Sequence, residues 1–231
     1  MFGLCGALSS GFGEAQGGWF VSYNIFLCGV GGQGLVLLTS VVGSACAKSG
    51  LKAVTGEMYG LSQRSGSVFV HLRIGDDAYS PLIPYGSADV LLSLESIEAL
   101  RYLEFLKKSG IILLNDRIVH PPIETSKLVT DRTANYVAIE EIVARLQSWP
   151  ANIALIKALD LAKQAGNALT ENSVFLGCLS AIKAFPVEEN AIVESIVEAV
   201  PKKTVEQNLS AFKLGKKAAY NGLCKNVECR E

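Results

Sequence analysis

Three glycines in the segment LCGVGGQGLV, residues 27–36, have the spacing of a nucleotide-binding turn. Gly29, Gly31 and Gly34 fit G-x-G-x-x-G, in which the backbone approaches a pyrophosphate group at a helix N-terminus. The pattern is weak by itself, because any tight strand-to-helix turn can use the same glycines. The turn therefore predicts a surface for a cofactor or a partner, and its candidate residues are Gly29, Gly31, Gly32, Gln33 and Gly34.

A second set of candidate residues follows the next predicted strand. A dinucleotide site needs an acidic residue there to bind the ribose, and Glu57 stands near the right position. The polar loop after Glu57 runs into another long strand, however, where a dinucleotide fold would form its second helix. The nicotinamide interpretation therefore loses support. The candidate cofactor-binding or partner-facing residues of this part are Glu57, Tyr59, Gln63, Arg64, Ser65 and Gly66.

Three of these side chains have alternative roles that the residue types leave open. Arg64 could bind a carboxylate or a phosphate through two parallel hydrogen bonds, or it could form a structural ion pair with Glu57. Gln33 could offer its amide to a partner or cofactor, although a hydrogen bond to its own loop is favoured. Tyr59 could pack on a ring at an interface or lie at the edge of the core.

Alternating apolar runs predict the strands and helices that position these residues. Residues 24–28 read as a buried strand, and 34–49 as a helix closed by Gly50. Further strands are predicted at 52–56, 67–75, 88–94, 110–115, 127–131 and 154–159. Helices are predicted at 96–108, with Lys107 and Lys108 near its end, and at 138–147, 172–184, 188–200 and 204–218. A capping box at Thr204 and Gln207 is expected to open the last helix.

This order predicts an α/β fold, a doubly wound or three-layer sandwich with a mostly parallel sheet. The sheet begins with the glycine-rich strand, turn and helix, and the final third is helical. Residues 1–22 are expected to form a flexible extension, 23–219 a single domain, and 220–231 a C-terminal tail. Loops at the carboxyl ends of parallel strands converge, so the glycine turn and the loop 56–66 should be neighbours on one face.

Composition limits the classes of function. The 231 residues carry a formal net charge of -1, without a basic block interleaved with aromatic residues, so nucleic-acid binding has little support. Only 19% of the residues are charged and 49% are hydrophobic, which suggests a surface that is partly covered by another chain. We find no apolar run of membrane-spanning length and no secretory signal, and we expect a cytoplasmic protein.

Cysteines and histidines give no metal or catalytic pattern. The six cysteines include no C-x-x-C pair, which argues against an iron–sulfur or zinc site, and no metal ligand is assigned. Cys224 and Cys229 lie in the polar tail, where they could pair or be mobile. His71 and His120 have no neighbouring nucleophile and are interpreted as structural. No catalytic residue is assigned.

Five segments together resemble a known family. They are GVGGQG at 29–34, GEMYGLSQRSGSV at 56–68, SPLIPYGSADVLLSLESIEALR at 80–101, NSVFLGCLSA at 172–181 and VPKKTVEQNLSAFKLG at 200–215. In this order they are similar to the gamma-type domain of 2-oxoacid:ferredoxin oxidoreductases. The resemblance covers most of residues 23–218, so it is far more specific than the glycine pattern.

The resemblance implies one component of an enzyme. A larger alpha subunit would carry thiamine diphosphate and the iron–sulfur clusters, and this chain would bind no cofactor firmly. The implied reaction is the oxidative decarboxylation of an aryl 2-oxoacid such as indolepyruvate, with coenzyme A as co-substrate and ferredoxin as electron acceptor. The chain would be inactive alone. The alternative from another class is a self-sufficient NAD(P)-dependent dehydrogenase with a Rossmann-like fold.

Overall fold

A single six-stranded sheet organises the protein, as a computed structural model of residues 22–59, 66–119 and 137–230 describes it. The strands are β1 (Tyr23–Val30), β2 (Ala53–Tyr59), β3 (Ser67–Ile74), β4 (Ala88–Ser93), β5 (Leu106–Asn115) and β6 (Asn152–Ile156). The helices are α1 (Leu35–Lys48), α2 (Ser96–Arg101), α3 (Ile139–Leu146), α4 (Ala158–Gln164), α5 (Glu171–Ala181), α6 (Glu189–Ala199) and α7 (Val205–Leu223).

The sheet has the strand order β2-β3-β1-β4-β5-β6. Strands β1, β4, β5 and β6 pair in parallel, whereas β3 is antiparallel to both of its neighbours, β1 and β2. Five strands therefore point in one direction and only β3 opposes them. The prediction of a mostly parallel sheet is confirmed.

Helices cover both faces of the sheet, because the central strands are apolar on both sides. In β1, Ile25 and Leu27 belong to the larger core, while Phe26 and Cys28 face the smaller one. The larger core includes buried residues of α1, α5, α6 and α7. The smaller one includes Ala99 of α2 and Ile142 of α3. The predicted three-layer sandwich is therefore present.

The helix predicted at 96–108 is too long. Helix α2 ends at Arg101, a 3-10 turn covers Leu103–Phe105, and β5 already begins at Leu106, which pairs with Ala88. Lys107 and Lys108 are therefore exposed residues of a strand. Sequence periodicity could not separate these states, because the tertiary pairing with β4 decides where the chain becomes extended.

Smaller corrections concern residues 154–223. The strand predicted at 154–159 ends at Ile156, and Ala158 already belongs to α4. The capping box is wrong, because the Thr204 hydroxyl donates to the Pro201 carbonyl oxygen, 2.9 Å away, and Gln207 Oε1 is buried without a hydrogen-bond partner. Helix α7 continues past residue 218 to Leu223.

Other predictions on local structure have mixed outcomes. Gly50 follows the end of α1 with φ of 69°, as its predicted capping role requires. The strand predicted at 127–131, His120 and residues 1–21 lie outside the described residues. Within the described ranges, no helix is both long enough and apolar enough to cross a membrane.

Candidate functional site

The glycine turn is held in place by the side chain of Gln33. Its Oε1 accepts a hydrogen bond from the Val30 amide at 2.9 Å, and its Nε2 donates to the Leu94 carbonyl oxygen at 3.2 Å. These two bonds join the end of β1 to the residue that follows β4. The favoured interpretation of Gln33, a bond that fixes its own loop, is therefore what the structure contains.

At two positions of the turn, neighbouring side chains of the same chain lie so close that only glycine fits without a shift. A Cβ atom on Gly29 would lie 2.5 Å from Gln33 Oε1, and one on Gly34 would lie 2.4 Å from Asn172 Nδ2. Gly32 differs, because it is exposed, has φ of 91° and has open space around its Cα. Packing around Gly29 and Gly34, and the positive φ of Gly34, give these two glycines a role that requires no bound dinucleotide, while the exposed Gly32 leaves its backbone accessible.

The loop between β2 and β3 meets the glycine turn at the carboxyl edge of β1. The Gly31 amide donates to the Gly66 carbonyl oxygen at 3.1 Å, and Val30 is paired with Ser67. The two segments are therefore neighbours, as predicted. Gln63, Arg64 and Ser65 lie outside the described residues, and so does the side chain of Tyr59.

Glu57 lies apart from the turn. It is an exposed residue of β2 paired with Val70, and it lines a groove of about 620 Å³ between α1 and β2. Ser40 and Gly43 of α1 line the same groove. After Glu57 the chain passes into β3 as an antiparallel hairpin, so the helix that would follow the ribose-binding acid of a dinucleotide fold is replaced by a strand.

A cleft of about 370 Å³ opens beside the glycine turn. It lies where β1 and β4, adjacent parallel strands, continue into α1 and α2 on opposite faces of the sheet. Ligand sites of open α/β sheets form at such switch points. The lining residues are Gly32, Gln33, Gly34, Leu37, Leu94, Asn115, Arg117, Ala168, Leu169, Glu171 and Asn172.

A polar network forms one wall of this cleft. Arg117 Nη1 lies 2.8 Å from Glu171 Oε1 in an ion pair, and Asn115 Nδ2 donates to the Leu94 carbonyl oxygen at 3.1 Å. Asn172 Nδ2 donates to the carbonyl oxygens of Gln33 and Gly34, at 3.2 and 3.1 Å. The start of α5 is thereby fastened to the glycine turn.

Sequence reasoning missed the residues of that wall, which are Asn115, Arg117, Glu171 and Asn172. The position of Asn115 at the end of a buried strand, with Arg117 two residues later, could have indicated the first pair, since carboxyl ends of parallel strands meet at one edge. No sequence signal connects Asn172 with a turn that lies 138 residues away.

Apolar side chains surround the same cleft. Leu169 is 90% exposed and Leu37 of α1 is 44% exposed. The Arg117 guanidinium is already neutralised by Glu171. A cleft with an apolar rim and an internally paired charge is suited to contact with another protein surface.

Two buried carboxylates, Glu95 and Glu98, brace the elements around α2. Glu95 caps α2, where its oxygens accept from the Glu98 amide at 2.9 Å and from the Val119 amide at 3.1 Å. Burial raises the pKa of Glu95. Glu98 accepts from the Ser67 hydroxyl and pairs with Arg101. These contacts join the start of β3 to α2 and explain both carboxylates structurally.

His71 and the buried cysteines also have structural environments. The His71 Nδ1 accepts from the Ile83 amide at 3.1 Å, and burial lowers the pKa of His71. Cys28, Cys46 and Cys178 are buried free thiols whose pKa is raised by burial, for Cys46 to about 12. Across the described ranges, no group of three or more His, Cys, Asp or Glu could hold a metal ion.

Comparisons with known proteins agree with this architecture. A family model described as "Pyruvate ferredoxin/flavodoxin oxidoreductase" matches residues 24–218. The indolepyruvate oxidoreductase subunit IorB of Thermococcus kodakarensis is 41% identical over 198 residues, which cover 85% of this chain and 96% of the relative.

Two solved structures share the fold. The gamma subunit of the keto/oxoacid ferredoxin oxidoreductase from Geobacter sulfurreducens has a TM-score of 0.66 at 24% identity, covering 88% of this chain and 99% of that chain. The 2-oxoglutarate:ferredoxin oxidoreductase from Magnetococcus marinus, with 2-oxoglutarate, coenzyme A and succinyl-CoA bound, has a TM-score of 0.62 at 20% identity. That match covers 87% of this chain and 31% of the other.

Proposed function

Because the chain belongs to the pyruvate ferredoxin/flavodoxin oxidoreductase family, we propose that it is the small subunit of an indolepyruvate-type 2-oxoacid:ferredoxin oxidoreductase. With a larger alpha subunit it would convert an aryl 2-oxoacid and coenzyme A into an acyl-CoA and CO2. The two electrons released by this oxidation pass to ferredoxin. The observation that carries the proposal is the 41% identity over 96% of a curated indolepyruvate oxidoreductase subunit.

The proposal assigns thiamine diphosphate and the iron–sulfur clusters to the larger subunit. The described cysteines of this chain do not fit a cluster, because Cys28, Cys46 and Cys178 are buried thiols with raised pKa and are not grouped with other metal ligands. Such clusters are held by several thiolates that lie close together. We place the assembly in the cytoplasm.

The proposed partner-facing surface is the carboxyl edge of the sheet. It combines the glycine turn at 29–34, the β2–β3 loop that ends beside the turn at Gly66, and the cleft. Gly32 leaves its backbone accessible there, and Leu169 and Leu37 offer apolar side chains. Gln33 and Asn172 fix the glycine turn from within, so this part of the surface is preformed, which lowers the entropic cost of docking.

Reconstitution tests the proposal. The chain is expressed alone and together with the larger subunit from the same source, and indolepyruvate- and coenzyme A-dependent reduction of a viologen dye is measured. We expect activity only from the complex. Viologen reduction by this chain alone would refute the assignment, and so would a larger subunit that neither binds this chain nor gains activity from it.

A further inference from the structure

Two cysteines close a short loop after the last helix. Cys224 and Cys229 form a disulfide, with four residues between them and Cα atoms 5.6 Å apart. This loop lies beyond residue 218, where the family match ends. The other described cysteines are buried free thiols. The disulfide therefore belongs to a feature that the proposed function does not use.

The segment Cys224–Arg230, here called the strap, is docked on the turn between α5 and α6. The Arg230 amide donates to the Ala181 carbonyl oxygen at 2.8 Å, and the Lys183 amide donates to the Glu228 carbonyl oxygen at 3.1 Å. Cys229 itself forms an isolated antiparallel bridge with Ile182. Cys229 therefore supplies one sulfur of the disulfide and also takes part in the backbone pairing with the turn.

The Arg230 side chain holds the same turn more firmly. Its guanidinium donates to the carbonyl oxygens of Phe185 and Val187, the latter at 2.8 Å. Phe185 is fully buried and its ring packs against Tyr23 at the start of β1. The strap therefore satisfies carbonyl groups beside a core residue, and losing it would expose them to water.

The disulfide is accessible to a reagent. Both cysteines are half-buried and line an open cavity of about 440 Å³ together with Lys183, Lys225 and Glu228. Of the two lysines, Lys183 is paired with Glu228, whose Oε2 lies 3.0 Å from its Nζ. Because only four residues separate the two cysteines, they stay close after reduction and the bond re-forms readily.

We propose that Cys224 and Cys229 are a reversible thiol–disulfide site whose oxidation state sets the docking of the strap. The reductant is a dithiol. One of its thiolates attacks a sulfur of the pair and releases the other as a thiolate. The second dithiol sulfur then resolves the mixed disulfide, so the dithiol is oxidised and both cysteines gain a proton and an electron. Reduction removes the loop constraint, and the strap undocks from the α5–α6 turn.

The test uses the purified full chain with dithiothreitol as the dithiol and oxidised glutathione as the re-oxidant. The chain has six cysteines, two of them in the disulfide, so denatured oxidised protein should expose four thiols to iodoacetamide. Native reduction should make Cys224 and Cys229 reactive while Cys28, Cys46 and Cys178 stay protected. Amide exchange of Lys183 and Arg230 should then rise roughly tenfold or more, and glutathione disulfide should restore it.

Two variants distinguish the effect of the disulfide from the effect of the surrounding loop. The double variant Cys224→Ser/Cys229→Ser should exchange like the reduced protein with or without dithiothreitol. Lys225→Ala, which alters the same loop but keeps both cysteines, should respond to dithiothreitol as the wild type does. The proposal fails if the oxidised protein exposes six thiols, if reduction requires unfolding, or if the Lys183 and Arg230 amides exchange equally in the two states.

Discussion

Replacement of Gly177 by alanine should separate two helices whose backbones touch. Gly177 of α5 faces α7, and a Cβ atom there would lie 2.0 Å from the Phe212 carbonyl oxygen and 2.8 Å from the Lys216 amide nitrogen. Gly215 of α7 faces the Val174 carbonyl oxygen in the same way, at 1.9 Å. The obstacle is backbone, so no side-chain rotation can relieve it, and the helices must move apart by about 1 Å.

The expected loss of stability follows from two opposing effects. Alanine favours the helix by roughly 0.5–1 kcal/mol relative to glycine. Overpacking of a tight contact costs about 1–3 kcal/mol and occasionally more, and the rigid obstacle places this site at the upper end. The net free energy of unfolding should fall by about 2 kcal/mol, which lowers the Tm by roughly 4–8 °C for a chain of this length.

Gly43→Ala is the matched control. Gly43 lies inside α1, and a Cβ atom there would have no neighbour within 4 Å, so only the helix preference changes. Its Tm should rise by roughly 1–4 °C. Thermal unfolding of both variants, followed by circular dichroism, decides the matter. A Gly177→Ala protein as stable as wild type would show that α5 and α7 do not cross through this contact.

Three further predictions concern the site and its surroundings. Arg64→Ala should lower turnover of the reconstituted complex by roughly 10- to 100-fold through loss of a charge-assisted contact, whereas Lys108→Ala, an exposed residue near the amino end of β5, should not. Equal turnover of the two variants would place the partner surface elsewhere. The free energy of unfolding should decrease as the pH falls below about 6.5, the ordinary pKa of histidine, because His71 has a lowered pKa in the folded protein and the unfolded chain then binds the proton first. Urea unfolding at pH 7.5 and 5.5 should show a smaller loss of stability for His71→Gln than for the wild type. Identical losses in the two proteins would contradict this role. NADH and NADPH should bind no better than other phosphate anions, since β2 leads into a hairpin and the turn is filled by Gln33; low-micromolar, nicotinamide-specific binding in a calorimetric titration would restore the dehydrogenase interpretation.

The layer architecture could be predicted because local patterns determine it. Residues 24–28 are apolar without alternation, which fits a strand buried on both faces, and the glycines after them fit a tight turn into α1. The polar loop after Glu57 and the strand that follows it were also visible, although the antiparallel pairing of β2 with β3 was not predicted. These signals lie within short windows, where side-chain periodicity and backbone preference act directly.

Only the tertiary structure decided which residues line the cleft. Asn172 reaches the glycine turn from a helix far along the chain, and Glu171 neutralises Arg117. The role of Gln33 was left open by its residue type and was decided by the distance from its amide to Val30 and Leu94. Long-range hydrogen bonds of this kind depend on how α5 packs against the sheet, and no local pattern encodes that packing.

The limits of the helices and strands show the same difference between what the local sequence determines and what tertiary contacts decide. The sequence predicted helix from 96 to 108, yet the strand pairing of Leu106 with Ala88 ended the helix early. It left open whether Cys224 and Cys229 pair or are mobile, and the fold brought their Cα atoms to 5.6 Å and docked the loop. Periodicity and turn residues determined the kinds of element and their order. Pairing and packing between distant segments decided their limits and the contacts of the site, because those energies exist only once the chain has folded.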